Sequence, residues 1–243
     1  MQSWGLTDPG CVRTQNQDAF QIVQLDRSTQ LCVVCDGMGG AKSGNIASSL
    51  AIDVFVQEIK RVHKSGMGRE QVEQMLRGAA KLANFTVFDQ SQEVEDFDGM
   101  GTTLVAAYVS GRRATIVNVG DSRCYAVNRE GIQQITTDHS LVQMMLRRGE
   151  LTEEQARFYP GKNYITRAIG TEPTVECDIF TWKLERGDAL LLCSDGLHGI
   201  VDDQEILFEV VHGVNKANCC QRLLNIAKSR GAPDNVTSVL VMA

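Results

Sequence analysis

No stretch of this 243-residue chain carries enough consecutive apolar side chains to cross a bilayer. Its longest purely aliphatic runs, such as Ala189-Leu190-Leu191-Leu192, fall far short of the roughly 20 residues a spanning helix needs. The first residues, Met1-Gln2-Ser3-Trp4-Gly5, show neither a basic region nor an apolar core of signal length, so a cytoplasmic protein is expected. No basic block offsets the net charge of -6, which argues against nucleic acid as a partner. Repeats, low-complexity tracts and linkers are also missing, and one domain covering 1–243 is expected. Eight cysteines are present but lack a framework. Cys32 and Cys35 form a C-x-x-C inside an apparent strand, where residues three apart face opposite ways. No second C-x-x-C follows, and Cys219-Cys220 lies in a helical pattern. Reduced, mostly buried thiols are expected, which excludes disulfide-stapled and zinc-ribbon classes.

The segments that are present alternate between two periods. Short extended runs are expected at Ser3 to Thr7, Phe20 to Val23, Leu31 to Cys35, Thr103 to Val109, Ala114 to Val119, Arg123 to Val127, Ile132 to Thr136, Cys177 to Lys183, Ala189 to Cys193 and Val236 to Met242. Several are separated at hairpin spacing, which implies antiparallel pairing. Leu104 to Val109 is nearly all apolar, so both of its faces are expected to be covered. Helical stripes run through Ile46, Leu50, Val54 and Phe55 and through Val72, Met75, Leu76, Ala79 and Ala83. Further helices are expected from His139 to Arg148, around Glu205 to Val211 and from Lys216 to Lys228, with capping boxes at Thr152/Gln155 and Asp202/Glu205. His63 and His212 read as surface residues, His139 as part of a helix start and His198 as a loop residue.

One feature recurs. Asp36 follows Leu31–Cys35, Asp121 follows Ile116–Gly120, Asp195 follows Leu190–Ser194, and Asp234 immediately precedes the last strand. Each alone reads equally well as a turn residue or helix cap. Four carboxylates at strand ends of one antiparallel core can converge, and would then repel one another unless cations lie between them. An all-oxygen donor set selects hard cations, Mg2+ or Mn2+, over zinc. The glycines of Asp36-Gly37-Met38-Gly39-Gly40 permit positive φ and close approach by an ion or oxyanion.

In order along the chain stand Arg13-x-x-Asn16-Gln17-Asp18, Asp36-Gly37-Met38-Gly39-Gly40, Gly101-Thr102-Thr103, Val119-Gly120-Asp121-Ser122-Arg123, Ser194-Asp195-Gly196-Leu197 and Asp234-Asn235-Val236-Thr237. This ordered set resembles the metal-dependent (type 2C, PPM) serine/threonine protein phosphatases of the compact bacterial kind. The resemblance implies an α+β fold, a four-layer α-β-β-α sandwich of two antiparallel sheets flanked by helices; the polar, irregular stretch between residues 146 and 162 is itself expected to form a flap that shapes substrate access. The resemblance also implies that Asp36 bridges two divalent ions, that the Gly37 carbonyl joins one of them, and that Asp195 and Asp234 hold the other. Asp18 would position water at the ions from behind. Asp121 with Asp195 would take a third, weaker ion, and Arg13 would bind the substrate phosphate with its planar fork.

The implied reaction is hydrolysis of phosphoserine and phosphothreonine on proteins by a water activated between two ions, opposing a bacterial serine/threonine kinase. No membrane or nucleic-acid partner is expected, and the protein is expected to be a monomer. No cysteine has an arginine six positions on, so the cysteine-dependent phosphatase route is excluded. Asp96-Phe97-Asp98 follows a helix and an acidic loop, which excludes an aspartyl-phosphate strand motif. One position departs from the family: where many bacterial relatives carry a histidine after Gly-Met-Gly-Gly, this chain has Ala41. That change leaves open a catalytically weak phosphatase-like module that binds phosphoproteins, and a hydrolase of small phosphoesters is a further alternative. His198, three residues after Asp195, is a candidate to replace the missing acid.

Overall fold

The computed structural model describes residues 1–243 except 158 and 162, and gives the backbone but not the side chains of 40–42 and 157. Strands β1 (Gln2–Asp8), β11 (Val236–Met242), β10 (Ala189–Cys193), β7 (Arg123–Asn128) and β8 (Gly131–Gln134) form one antiparallel sheet in that order. Strands β2 (Asp18–Gln24), β3 (Thr29–Met38), β5 (Leu104–Ser110), β6 (Arg113–Val119) and β9 (Asp178–Lys183) form the second, also antiparallel. The two-residue β4 (Gly101–Thr102) pairs with the end of β3.

Strand alternation sorts the apolar residues into three layers of core. Leu31, Val33 and Cys35 of β3 and Leu104, Ala106 and Tyr108 of β5 face two helices, α1 (Gly40–Val62) and α2 (Arg69–Glu93). Their neighbours Cys32, Val34, Val105, Ala107 and Val109 face the other sheet and meet Leu190, Leu192, Val239 and Val241. On the far side, Tyr125, Leu191 and Leu240 pack under α5 (Asp195–His198), α6 (Asp203–His212) and α7 (Cys219–Ser229). The four layers are therefore helix, sheet, sheet, helix. β3 and β5 read as continuous apolar runs because each of their faces meets a different layer. Phe55 and Ile59 of α1 and Leu76 of α2 are fully buried, and each such side chain stabilises the fold by roughly 1.5–3 kcal/mol. Cys32 and Cys35 lie in different core layers, and seven of the eight cysteines are buried free thiols.

Between β8 and β9 the chain leaves the sheets as α3 (Leu141–Arg147) and α4 (Glu153–Arg157), then returns through an isolated bridge between Ser140 and Ile165. The segment 146–162, expected as a flap, falls within this excursion, and residues 158 and 162 lie outside the described ones. Both capping boxes form: Thr152 exchanges hydrogen bonds with Gln155, and Asp202 with Glu205.

Two readings need correction. β3 does not stop at Cys35; it continues through Asp36-Gly37-Met38, because Gly37 and Met38 pair with Thr102 and Gly101 of β4. The chain turns only at Gly39, at φ +121°, and α1 starts at once from Gly40, ahead of the stripe that begins at Ile46. His63 is not a surface residue. Its Nε2 lies 3.1 Å from Asp26 Oδ2 and its Nδ1 3.1 Å from the Tyr108 hydroxyl, tying the end of α1 to the sheet.

Candidate active site

Asp36 sits where β3 runs between two ladders. Its N–H donates to Thr103 Oγ1 (2.9 Å), and its carbonyl accepts from the Thr103 N–H (2.8 Å) and the Thr102 hydroxyl (2.9 Å). Thr103 Oγ1 also bonds Ser122 Oγ at 2.7 Å. With both backbone groups pinned, the direction of the carboxylate follows from the pleat. Gly37 must be glycine for a packing reason: a Cβ there would come within 2.1 Å of the Gly44 carbonyl in the first turn of α1.

Asp18 is the ladder partner of Asp36 across β2 and β3. One of its oxygens, Oδ2, accepts from Ser194 Oγ at 2.7 Å, and Ser194 Oγ in turn accepts the Thr237 N–H at 3.0 Å. Thr237 Oγ1 meets Thr7 Oγ1 at 2.7 Å, Thr7 accepts from Asn16 Nδ2 at 2.7 Å, and Asn16 Oδ1 accepts the Asp18 N–H at 3.1 Å. This closed ring of short polar side chains joins the two sheets around a single carboxylate. The other oxygen, Oδ1, is buried and has no hydrogen-bond partner among the described residues.

Asp121 follows Gly120, which adopts φ +105° and lies so close to Thr103 that a Cβ would meet its side chain at 2.6 Å. His139 holds this turn by accepting the Gly120 N–H on Nδ1 (3.1 Å), while its Nε2 lies 3.2 Å from Asp178 Oδ2. His198 Nε2 donates to the Asp121 carbonyl at 3.1 Å. Burial, then the nearby Arg123 charge, keeps His198 well below the usual histidine range and hence neutral. Its one ring proton is committed to that backbone carbonyl, so it does not replace the missing family histidine. Arg123 itself points away from the aspartates, onto Asp138 at 2.7 Å and the Tyr125 hydroxyl at 2.9 Å. Asp195 begins α5, and Gly196 beside it packs under the Asn235 carbonyl, which a Cβ would approach to 1.9 Å.

Asp234 has both oxygens engaged, Oδ2 with Arg13 Nη2 at 2.8 Å and Oδ1 with the Asn235 N–H at 2.9 Å. Asn235, buried, clamps the segment that carries Arg13. Its Nδ2 donates to the Pro9 and Gln15 carbonyls (3.1 and 2.9 Å), and its Oδ1 accepts the Gln17 N–H at 2.8 Å.

These residues surround a cavity of about 570 Å3 lined by Asp36, Asp121, Asp195, Asp234, Gly37 and Arg13, with Asn163 and Ile165 from the end of the α3–α4 excursion. Burial, then the charges of Asp18, Asp195, Asp121 and Asp234, pushes Asp36 well above the usual carboxylate range. Burial raises Asp18 to about 6, against the lowering effect of the Thr237 and Ser194 hydrogen bonds. Asp121 is raised to about 7 by burial and then by Asp195, and Asp195 is raised by burial and then by Asp234. Among the described residues no three carboxylate, histidine or cysteine side chains are already closed around one point. The donor set nevertheless fits divalent cations. Four mutually repelling carboxylates face one cavity, and behind them lies a buried carboxylate oxygen without a partner, an arrangement that neighbouring positive charge stabilises.

All seven residues singled out from the sequence (Arg13, Asp18, Asp36, Gly37, Asp121, Asp195 and Asp234) therefore meet at one end of the sandwich. The side chain of Ala41 lies outside the described residues. The supporting roles of Asn235, Thr103, Ser194, His139 and His198 were not assigned from sequence. The first three stand inside the quoted motifs, which is the only signal that marked them.

Residues 12–226 match the family model described as protein phosphatase 2C. The serine/threonine phosphatase stp of Listeria monocytogenes is 35% identical over 235 residues, covering 97% of this chain and 93% of its own length. The protein phosphatase PhpP of Streptococcus pneumoniae is 35% identical over 241 residues, covering 97% and 95%. The crystal structure of the serine/threonine phosphatase Stp1 from Staphylococcus aureus superposes with a TM-score of 0.93 at 37% identity, covering 99% of this chain and 94% of that one.

Proposed function

The chain belongs to the protein phosphatase 2C family of metal-dependent serine/threonine phosphatases, and we propose that its clustered aspartates and Arg13 are the residues that carry out phosphoester hydrolysis. The observation that supports this most directly is the meeting of Asp36, Asp121, Asp195 and Asp234, from ends of both sheets, around one cavity with Arg13 at its rim. Asp36, Asp195 and Asp234, with the Gly37 carbonyl, would hold two ions, Mg2+ or Mn2+, and Asp121 with Asp195 a third. When bound, such ions lower the pKa of the attacking water and offset the charge on the phosphoryl oxygens.

The chain's own residues do the rest. Arg13, half exposed and on a clamped segment, offers a planar fork to two phosphoryl oxygens. Thr103 and Thr102 hold the Asp36 backbone from both sides, so the strand that presents its carboxylate need not rearrange as charge develops. Asp18 keeps one oxygen on Ser194 and leaves the other, behind the lining aspartates, to accept a hydrogen bond. With alanine at position 41 and His198 committed elsewhere, no histidine among the described residues lines the cavity to protonate the leaving alkoxide. The enzyme should therefore favour good leaving groups, since general acid catalysis typically contributes about 10²–10⁴ in rate.

The substrates are phosphoproteins, and no helix among the described residues is long and apolar enough to cross a membrane. We assign residues 1–243 to one catalytic domain that acts as a monomer in the cytoplasm and opposes a bacterial serine/threonine kinase. The test is hydrolysis of p-nitrophenyl phosphate and a phosphothreonine peptide with Mn2+, alongside thermal stabilisation by Mn2+ alone. Both should be lost in Asp36→Ala. Binding of Mn2+ without turnover of either substrate would leave a phosphoprotein-binding module and overturn the enzyme assignment.

A further inference from the structure

β9 is an edge strand: it pairs with β6 on one side and with no strand on the other among the described residues. Edge strands expose unpaired backbone donors and acceptors and accept extended peptides by strand addition. Here the edge is flanked, on the side facing α2, by two cavities that follow it from end to end. One, of about 840 Å3, lies between α2 and residues 173–180; the other, of about 500 Å3, lies between the start of α2 and Thr181–Lys183. The inward side chains Phe180 and Trp182 pack into the layer between the sheets, so the edge is firmly anchored.

The charge of this groove opposes that of the molecule. In a chain of net charge -6, six cations line it: Arg69, Arg77, Lys81, Arg112, Arg113 and Lys183. Arg69 is paired with Glu73, and Arg112 and Lys183 share Glu185. Glu176 and Asp178 also line the groove, but Asp178 already faces Arg167 and His139. Arg77, Lys81 and Arg113 are exposed and form no ion pair among the described residues. Three of the six cations sit on α2, so they do more than blunt the strand edge against aggregation.

The groove also has a direction. Asp178 pairs with Asn118, three residues before Asp121, whereas Lys183 pairs with Arg113 at the far end. It leads from the active-site end of the sandwich along about 20 Å of edge strand.

We propose that the β9 edge and its cationic groove bind an acidic, extended segment of the phosphoprotein substrate, flanking the phosphorylated residue. This rests on the phosphatase assignment, and the experiment separates the two. Wild-type protein is assayed at low salt with p-nitrophenyl phosphate, a short neutral phosphothreonine peptide, and the same peptide carrying a six-residue glutamate-valine extension on either end. One extension should lower KM about tenfold, as several surface charge pairs of a few tenths to 1 kcal/mol each would give. The advantage should fall to twofold or less in Lys81→Glu/Arg113→Glu, and with an extension of equal charge interrupted by prolines, which cannot continue a ladder. Hydrolysis of p-nitrophenyl phosphate and the short peptide should be unchanged in that variant. An extension without advantage, or an advantage that survives the double reversal, overturns the groove while leaving the phosphatase assignment intact. If neither basic substrate turns over, the anisotropy of a fluorescein-labelled extension still reads the groove. An oligothymidylate of equal charge that binds there as tightly as the peptide overturns the peptide assignment.

Discussion

Replacing Asn235 by alanine should unlatch the segment that carries Arg13 without disturbing either sheet. The side chain makes three hydrogen bonds to the backbone of residues 9, 15 and 17, more than 200 positions away. A neutral hydrogen bond contributes about 0.5–1.5 kcal/mol net, so the three together contribute about 1.5–4.5 kcal/mol. Pro9 and Gln15 are exposed and Gln17 half-buried, so the freed groups largely regain water and the cost settles near 2 kcal/mol. For a chain of this size that lowers Tm by about 4–8 °C. If the loss is local, the open state of the segment becomes roughly 30-fold more populated, and trypsin should cut after Arg13 faster by the same factor, because cleavage of a rapidly reclosing segment tracks its open population. Arg129, in the exposed β7–β8 turn, is the internal control. KM for a phosphothreonine peptide should rise more than kcat falls, since the guanidinium is displaced rather than removed. If cleavage at Arg13 and Arg129 accelerates equally, or if Tm falls with no change at Arg13, the clamp is not local and the reasoning fails.

Thr103→Val removes the hydroxyl that accepts the Asp36 N–H and meets Ser122, leaving two buried polar groups unpaired. Urea denaturation should show a loss of about 2–4 kcal/mol, largely recovered in Thr103→Ser; an unchanged midpoint would refute the pinning of Asp36. Gly196→Ala drives a Cβ into the Asn235 carbonyl and should cost about 3 kcal/mol or more, whereas Gly78→Ala, mid-helix with open space, should stabilise by about 0.5–1 kcal/mol. In chelator, the raised pKa values of Asp18 and Asp121 mean that the folded state holds protons the unfolded state has released. Stability of the metal-free protein should therefore fall as pH rises from about 4 to 7, on the order of 3 kcal/mol from Asp18 alone, and Mn2+ should abolish the decline. A flat Tm between pH 4 and 7 in chelator would show that the carboxylates do not strain the fold.

What could be read in advance was whatever depends on local order along the chain. β10 and β11 fall where alternation and turn residues place them, with Asp195 just past the one and Asp234 just before the other. The continuation of β3 past Asp36 was hidden because Gly37 has no strand preference of its own. It is extended only because β4, more than sixty residues later, pairs with it. Of the three buried or half-buried histidines, His63 was misread, the role of His198 was left open, and the hold of His139 on the Gly120 turn went unseen, for a related reason. A histidine is held inside by whichever partners the fold delivers, here Asp26 and Tyr108 for His63, the Gly120 turn for His139 and the Asp121 carbonyl for His198. Asn235 shows the limit most clearly: its motif flagged the position, but its task is set by backbone groups at the other end of the chain.

The place of β11 bears on when the enzyme can first act. This last strand is not added at a margin; it lies between β1 and β10, pairing with both, and Asp234 and Asn235 immediately precede it. While the chain is being synthesised, β1 and β10 have no ladder between them, Asp18 lacks the Thr237 part of its ring, and Arg13 lacks both its carboxylate partner and its clamp. A nascent chain therefore holds most of the fold's residues yet cannot assemble the cavity. If the clustered aspartates carry the hydrolysis, it begins only once β11 has taken its place between β1 and β10.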